Sequence, residues 1–188
     1  LGLGWTVHVR DVDASKTTPL QALGATVQDS PAALTAAVDR LIVCVIDTPQ
    51  VESVLFGPQG VSQSLRPGQT VMLCPTLSPE DVESQGQRLV ALGAHAIDAP
   101  MSGGPQRAAE GTMSLMVAAP AAVFQANQDW LDALSGLVFH VSERVGDGAR
   151  TKLANNLLAG INLVGAAQVL AMAQRMGLDL SKTMDVME

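Results

Sequence analysis

The spacing of apolar residues changes along this chain and divides it into two parts. In residues 1–145, short apolar runs alternate with segments of helical spacing. Leu41–Ile46 and Thr70–Leu73 are continuous runs, typical of strands buried on both faces. From Ala149 to Met176 apolar residues recur at helical spacing without a proline, which predicts one helix of about 28 residues and about 42 Å. Gly148 and Gly177 flank this predicted helix.

The first part predicts strands and helices in alternation. The predicted strands cover 6–10, 25–27, 41–46, 70–73, 94–98, 113–117 and 137–141, and the predicted helices cover 15–24, 32–38, 51–56, 78–92 and 120–134. This order is typical of an α/β domain with a doubly wound, mainly parallel sheet. We therefore predict an α/β domain over 1–145, followed by a helix that is long enough to link it to a second domain.

Composition narrows the class of protein. The net charge of −7 argues against a nucleic-acid or acidic-membrane partner. Cys44 and Cys74 lie in apolar runs and lack metal-ligand spacing with the three histidines, so we expect buried free thiols, a reducing compartment and no metal. The long helix contains asparagines and glutamines that we interpret as too polar for a membrane span, and we expect no signal peptide. A cytoplasmic protein is expected.

Sheets of this kind bind ligands beyond the carboxyl ends of their strands, which directs attention to Asp11. An acidic residue at the end of the second strand can accept hydrogen bonds from the adenosine ribose hydroxyls. It would also repel a 2′-phosphate, which favours NAD over NADP. The alternative is an ordinary turn aspartate, and the glycine-rich fingerprint that should precede this strand is absent from the sequence.

A second candidate is the segment Asp98–Pro105, which reads DAPMSGGP. Small residues at the end of a strand allow a ligand to approach the backbone, and they leave N–H groups free to bind an anion. Ser102 adds a hydroxyl. The alternative is a glycine-rich turn with no ligand.

The third candidate is Lys152 with Asn156, which lie four residues apart and so on one face near the start of the long helix. Both could be ordinary surface residues. A helix N-terminus disfavours a cation, and desolvation would lower the pKa of a lysine further. Such a lysine can act as a general acid or base.

Two segments together resemble the β-hydroxyacid dehydrogenase family, which includes 3-hydroxyisobutyrate dehydrogenases and tartronate-semialdehyde reductases. They are DAPMSGGPQRAAEGTMSLMVA at 98–118 and GDGARTKLANNLL at 146–158, with weaker matches at 43–61 and 74–80. The resemblance implies a truncated, NAD-binding, Rossmann-like domain over 1–145. Over 146–188 it implies a long interdomain helix that begins an all-helical (all-α) second domain. It also implies oxidation of a small 3-hydroxyacid, or reduction of the matching semialdehyde, with a nicotinamide cofactor.

The resemblance also implies roles for individual residues. Lys152 would take or return the hydroxyl proton, and Asn156 would position the substrate. The substrate carboxylate would bind at Ser102, Gly103 and Gly104. The implied cofactor contacts are Asp11, Val45, Ile46, Gln50 and Thr76.

The chain departs from the family pattern in several places. The first strand with its GxGxxG loop and the bulk of the helical domain have no counterpart, so these 188 residues alone are expected to be inactive. Val45 and Ile46 replace a leucine-proline pair, and Pro75 replaces a serine. NADP-type members often have arginine where this chain has Val12, which again favours NAD.

Other functions remain open at this point. A decarboxylating 6-phosphogluconate-type dehydrogenase would usually have histidine in place of Asn155 and a basic phosphate pocket, for which Arg107 is a lone candidate. Imine reductases typically replace the lysine. A third possibility is a cofactor-binding or oligomerisation module without turnover. The apolar face of the long helix favours association, so a dimer or tetramer is expected.

Overall fold

The computed structural model describes residues 1–187. The strands are β1 (His8–Val9), β2 (Thr26–Val27), β3 (Arg40–Val43), β4 (Thr70–Leu73), β5 (His95–Asp98), β6 (Met101–Ser102), β7 (Ser114–Ala118) and β8 (Leu137–Ser142). The helices are α1 (Ala14–Ala22), α2 (Pro31–Ala37), α3 (Thr48–Phe56), α4 (Pro79–Ala91), α5 (Gly104–Glu110), α6 (Ala121–Ala126), α7 (Gln128–Leu134), α8 (Asp147–Arg175) and α9 (Leu180–Met187). A short 3₁₀ helix covers Val61–Gln63.

The strands form two sheets. β1 and β2 pair in parallel, and the larger sheet has the order β3-β4-β5-β7-β6 with β8 beside β7. β3, β4 and β5 are parallel, whereas β7 is antiparallel to β5 and β6 and parallel to β8. The prediction of a Rossmann-like, mainly parallel sheet with helices is confirmed.

The two sheets are separated by the place of one strand in the doubly wound strand order. In the order 3-2-1-4-5-6, β2 and β1 correspond to strands 3 and 2, and β3, β4 and β5 correspond to strands 4, 5 and 6. Within residues 1–187, β1 pairs with β2 alone and β3 pairs with β4 alone. The place between β1 and β3 is therefore that of strand 1.

Helices begin where the sequence provides caps. Ser30 and Ser78 accept hydrogen bonds from the backbone N–H groups of Ala33 and Asp81, and a proline follows each serine. The predicted single helix over 120–134 is wrong, because the chain forms two helices that meet at Asn127. The carbonyl of Asn127 accepts from the N–H groups of two residues in α7, so this residue starts a new helix.

The core lies on both faces of the larger sheet. One cluster packs α3 and α4 against Val71 and Leu73, and the other packs α7 against the opposite face, with Met72 of the same strand. The prediction that β4 is buried on both faces is thus confirmed. The equivalent prediction for Leu41–Ile46 is wrong: the strand ends at Val43, Ile42 is 39% exposed and Cys44 is also exposed.

The structure divides into two compact units, Leu1–Lys152 and Leu153–Glu188, with the boundary inside α8. An 18-residue window of α8 has a mean hydropathy of 1.5, and 6% of it is buried. By length and composition α8 could therefore cross a membrane, so the prediction that its amides make it too polar is wrong. Core helices of soluble proteins pass the same test.

Candidate active site at the carboxyl edge of the sheet

Three parallel strands end side by side and define the edge where the candidate residues lie. Val43, Leu73 and Asp98 are register partners at the ends of β3, β4 and β5. In a doubly wound sheet, ligands bind in the crevice outside these carboxyl ends. Residues just beyond each strand are therefore presented at one edge.

Four of the five predicted cofactor residues follow two of these strands. Val45, Ile46 and Gln50 follow β3, and Thr76 follows β4. The Gln50 side chain accepts a hydrogen bond of 3.1 Å from the Ile46 N–H, which closes the loop before α3. Ile46 is 81% exposed and Thr76 is also exposed, so both are accessible to a ligand.

The fifth predicted cofactor residue, Asp11, follows β1 in the separate two-stranded sheet. Its Oδ1 accepts a hydrogen bond of 2.9 Å from the Asp13 N–H, and the residue is exposed. Asp11 lines a cavity of about 890 Å³. The lining of this cavity includes residues of both β1 and β3, so it lies at the position of strand 1 in the doubly wound order.

The glycine segment after β5 has backbone geometry that requires glycine. Gly103 has a φ of +135° and Gly104 a φ of +70°. A Cβ at Gly103 would lie 2.8 Å from Arg107 Cβ, so a side chain there would be both strained and crowded. Ser102, at the end of β6, is half-buried, and both glycines are exposed. An exposed backbone of this kind can approach a carboxylate closely.

Asp98 was predicted as the start of the glycine segment, but its own contacts were not predicted. Asp98 is 1% exposed, and its carboxylate accepts hydrogen bonds from the N–H groups of Gly146 at 2.8 Å and Ala149 at 3.0 Å. Burial raises the pKa of Asp98 to about 6, against the opposite effect of the backbone N–H donors. The partners are 48 and 51 residues away in sequence, so no local pattern could have indicated them.

Polar contacts hold the other side of the first turn of α8. Asp147 accepts hydrogen bonds from the side chains of Ser142, Arg144 and Arg150, and the bonds from Arg144 are the main reason that its pKa falls to about 2. Arg150 also forms a 2.7 Å ion pair with Glu83 of α4. The turn before Lys152 is thereby fixed to β8 and to α4.

Lys152 is the last residue of its unit and is 8% exposed. Burial lowers the pKa of its ammonium. In the part of the chain that the structure describes, no carboxylate forms an ion pair with Lys152. A buried, unpaired lysine loses its proton more readily than a solvated one, which suits proton transfer.

The structure brings some of the predicted residues together and not others. Asp98 ends β5, the strand that leads to Ser102, and its carboxylate binds the turn that leads to Lys152. Within residues 1–187, no hydrogen bond joins Ser102 to Lys152 directly. Asn156 is four residues further along α8 and belongs to the other unit. The roles predicted for these residues stay predictions.

Comparison with known protein families agrees with this arrangement. A family model described as the NAD-binding domain of 6-phosphogluconate dehydrogenase matches residues 1–142. A second, described as the NAD-binding part of NADP-dependent 3-hydroxyisobutyrate dehydrogenase, matches residues 146–188. The chain belongs to the β-hydroxyacid dehydrogenase family. The resemblance drawn from the 98–118 and 146–158 segments is therefore confirmed.

Individual relatives agree with membership in the β-hydroxyacid dehydrogenase family. L-Threonate dehydrogenase of Cupriavidus necator is 34% identical over 186 residues, which are 99% of this chain and 63% of the relative. The 2-hydroxy-3-oxopropionate reductase of Escherichia coli K12 is 34% identical over 85% of this chain and 54% of its own length. The crystal structure of 3-hydroxyisobutyrate dehydrogenase from Salmonella typhimurium is 34% identical, with a TM-score of 0.85 over 97% of this chain and 64% of that one. The chain thus spans less than two thirds of the length of these relatives.

Proposed function

We propose that this protein is a nicotinamide-dependent oxidoreductase that interconverts a small 3-hydroxyacid and its semialdehyde or oxoacid. The observation that carries the proposal is the environment of Lys152: a largely buried lysine with no ion pair among the described residues, whose helix begins against the end of β5, the strand before the glycine segment. Family membership supports the same class of reaction.

In the proposed reaction, this chain's residues bind the substrate carboxylate and move one proton. The backbone N–H groups around Gly103 and Gly104, with the Ser102 hydroxyl, bind the carboxylate. A bound nicotinamide supplies the hydride chemistry. In oxidation, the neutral Lys152 amine takes the hydroxyl proton as the C–H bond releases its hydride, and the C–O bond becomes a carbonyl. In reduction, the Lys152 ammonium returns that proton to the carbonyl oxygen.

We propose NAD as the preferred cofactor, held at Asp11, Val45, Ile46, Gln50 and Thr76. The exposed Asp11 carboxylate can accept hydrogen bonds from the ribose hydroxyls and would repel a 2′-phosphate. Val12 is 94% exposed and offers no charge. The Arg10 guanidinium donates to the carbonyls of Asp11 and Asp29, so the neighbouring cation is already engaged.

The substrate is proposed to be a short, polar carboxylate. Two of the relatives are by name an L-threonate dehydrogenase and a 2-hydroxy-3-oxopropionate reductase, and both of these substrates are small acids. Arg107, the candidate for binding a substrate phosphate, is exposed and forms no ion pair in the described chain. One exposed arginine does not form a basic phosphate pocket. We therefore rank a 6-phosphogluconate-type substrate second. L-Threonate, 3-hydroxyisobutyrate and glycerate form the first test panel.

Lys152→Ala in the full-length protein tests the proposal. We expect turnover of the best hydroxyacid to fall by about 10²- to 10⁴-fold, the usual contribution of a general acid or base. Cofactor affinity should stay unchanged, because Lys152 is not among the proposed cofactor contacts. Asp132→Ala, at an exposed position on α7, is the control for an ordinary surface change. Undiminished turnover in Lys152→Ala would discard the catalytic role, and an inactive parent protein would favour the non-catalytic module.

The proposal also predicts how these residues bind NAD and how the protein assembles. We expect these 188 residues alone to lack micromolar affinity for NAD in calorimetric titration, because they contain no GxGxxG phosphate loop. Apolar side chains along α8, such as Leu157 and Leu163, are exposed and favour burial against further helices or a second copy. We propose a cytoplasmic homodimer or homotetramer, with no nucleic-acid or membrane partner.

A further inference from the structure

We propose that Asp98 is a positioning residue that couples the substrate-carboxylate segment to the helix bearing Lys152. The backbone of Asp98 ends β5 and leads through Ala99, Pro100 and Met101 to Ser102, the first of the three residues proposed to bind the carboxylate. Its side chain holds the turn that begins α8. One residue thus links both halves of the candidate site, and the inference rests on the roles proposed for Lys152 and the glycine segment.

The hydrogen bonds converge on one buried oxygen. Gly146 and Ala149 both donate to Asp98 Oδ2, at 2.8 and 3.0 Å. N–H groups in the first turn of a helix have no partner within the helix, and here Asp98 supplies it. Because Asp98 is 1% exposed, water cannot easily replace the carboxylate. The carboxylate charge also complements the positive end of the helix dipole.

A second observation shows that this turn is pressed closely onto the sheet. A Cβ at Gly148 would lie 2.6 Å from the Met116 carbonyl oxygen and 2.9 Å from Asp98 Cγ. Met116 is in β7 and Asp98 ends β5, so the glycine backbone is seated against two strands. The position of the turn is therefore set by direct contact with the sheet.

Lys152 follows Ala149 by three residues in the same helix, a rise of about 4.5 Å. A hydrogen-bonded helix moves as a unit over so short a distance, so a shift of the first turn carries Lys152 with it. A displacement of about 1 Å at a reacting group can cost about 10²-fold in rate. We infer that Asp98 sets the separation between the carboxylate-binding backbone and the Lys152 amine.

Kinetics of the full-length protein test this inference. With the best substrate of the panel, Asp98→Ala should lower kcat by about 10²-fold and leave the cofactor Kd within about threefold. Asp98→Asn keeps an acceptor oxygen of the same reach and should recover most of kcat. Ser30→Ala is the control: it removes the cap of α2 and should lower Tm without changing kcat.

Hydrogen exchange gives a readout that needs no turnover. The amides of Gly146 and Ala149 should exchange at least about tenfold faster in Asp98→Ala than in the parent, and at the parent rate in Ser30→Ala. Gly148→Ala keeps Asp98, but its Cβ should push the first turn of α8 away from the sheet and cause the same loss of kcat. This variant replaces Asp98→Ala in the test if Asp98→Ala does not fold. Unchanged exchange, or a parental kcat in Asp98→Ala and Gly148→Ala, overturns the inference.

The two proposals fail in different ways. If the parent turns over and Lys152→Ala does not, a parental kcat in Asp98→Ala rejects the positioning role and leaves the proposed function in place. If the parent oxidises none of the hydroxyacids, the proposed function fails and the positioning role for Lys152 catalysis fails with it. Exchange at Gly146 and Ala149 then still decides whether Asp98 anchors the helix.

Discussion

The buried carboxyl group of Asp98 makes stability depend on pH with a definite sign. Burial raises the pKa of Asp98 from 3.8 to about 6. Between these two values the folded protein holds a proton that the unfolded chain has released. The free energy of unfolding therefore falls as pH rises through this window. The contribution is fully present below about pH 4 and is lost above about pH 6. A pKa difference of about 2 corresponds to about 3 kcal/mol.

Asp98→Asn isolates this contribution, because it keeps an acceptor oxygen and removes the ionisation. Urea unfolding followed by circular dichroism at pH 4, 5, 6 and 7 measures the free energy of unfolding of both proteins. The parent should lose about 3 kcal/mol relative to Asp98→Asn across this range. Asp147 and Cys74 are the titratable groups that interact with Asp98. The pKa of Asp147 is lowered to about 2 and burial raises that of Cys74, so neither changes charge in this window.

Asp147→Asn is the matched control with the opposite sign. A carboxyl with a lowered pKa contributes stability above its unfolded pKa, and the contribution is lost as pH falls through about 2. The difference between the parent and Asp147→Asn should therefore change little from pH 5 to 7, apart from the small repulsion that Asp147 exerts on Asp98. A constant difference for Asp98→Asn over pH 4 to 7 would refute the reasoning that burial dominates its ionisation. A parent that gains stability with pH relative to Asp98→Asn would mean that the backbone N–H donors outweigh burial.

Three further outcomes can be checked. Gly103→Ala should lower the free energy of unfolding in urea by about 1–3 kcal/mol and raise KM for the hydroxyacid, because the φ of Gly103 is +135° and Arg107 crowds the added Cβ. Gly104→Ala should lower the free energy of unfolding less, because a Cβ there meets open space. Asp11→Ala should narrow the preference for NAD over NADP in kcat/KM, and an unchanged ratio would remove Asp11 from the cofactor site. The pH profile of hydroxyacid oxidation should decline on the acid side with a pKa below 10.5 that Lys152→Ala abolishes; an unshifted profile in that variant would assign the ionisation elsewhere.

Much of the fold could be predicted because its signals are local. The apolar run at Thr70–Leu73 and the serine-proline caps at Ser30 and Ser78 act within a few residues, and the structure has the strand and both helices there. Errors occurred where a second local signal interrupts the first. Asn127 interrupts the helix predicted over 120–134, since its carbonyl starts α7. β3 stops at Val43 although apolar residues continue to Ile46, because the chain turns there into the cap of α3.

The candidate site could also be predicted only in part from the sequence. The glycine segment and the position of Lys152 near a helix start could be predicted from sequence, because each depends on residue types within a few positions. That Lys152 is buried, and that Asp98 binds Gly146 and Ala149, were decided by the tertiary structure alone. The reason is physical: a buried carboxylate requires hydrogen-bond donors, and here the donors are 48 and 51 residues away, brought near only when the chain folds and α8 begins against the end of β5.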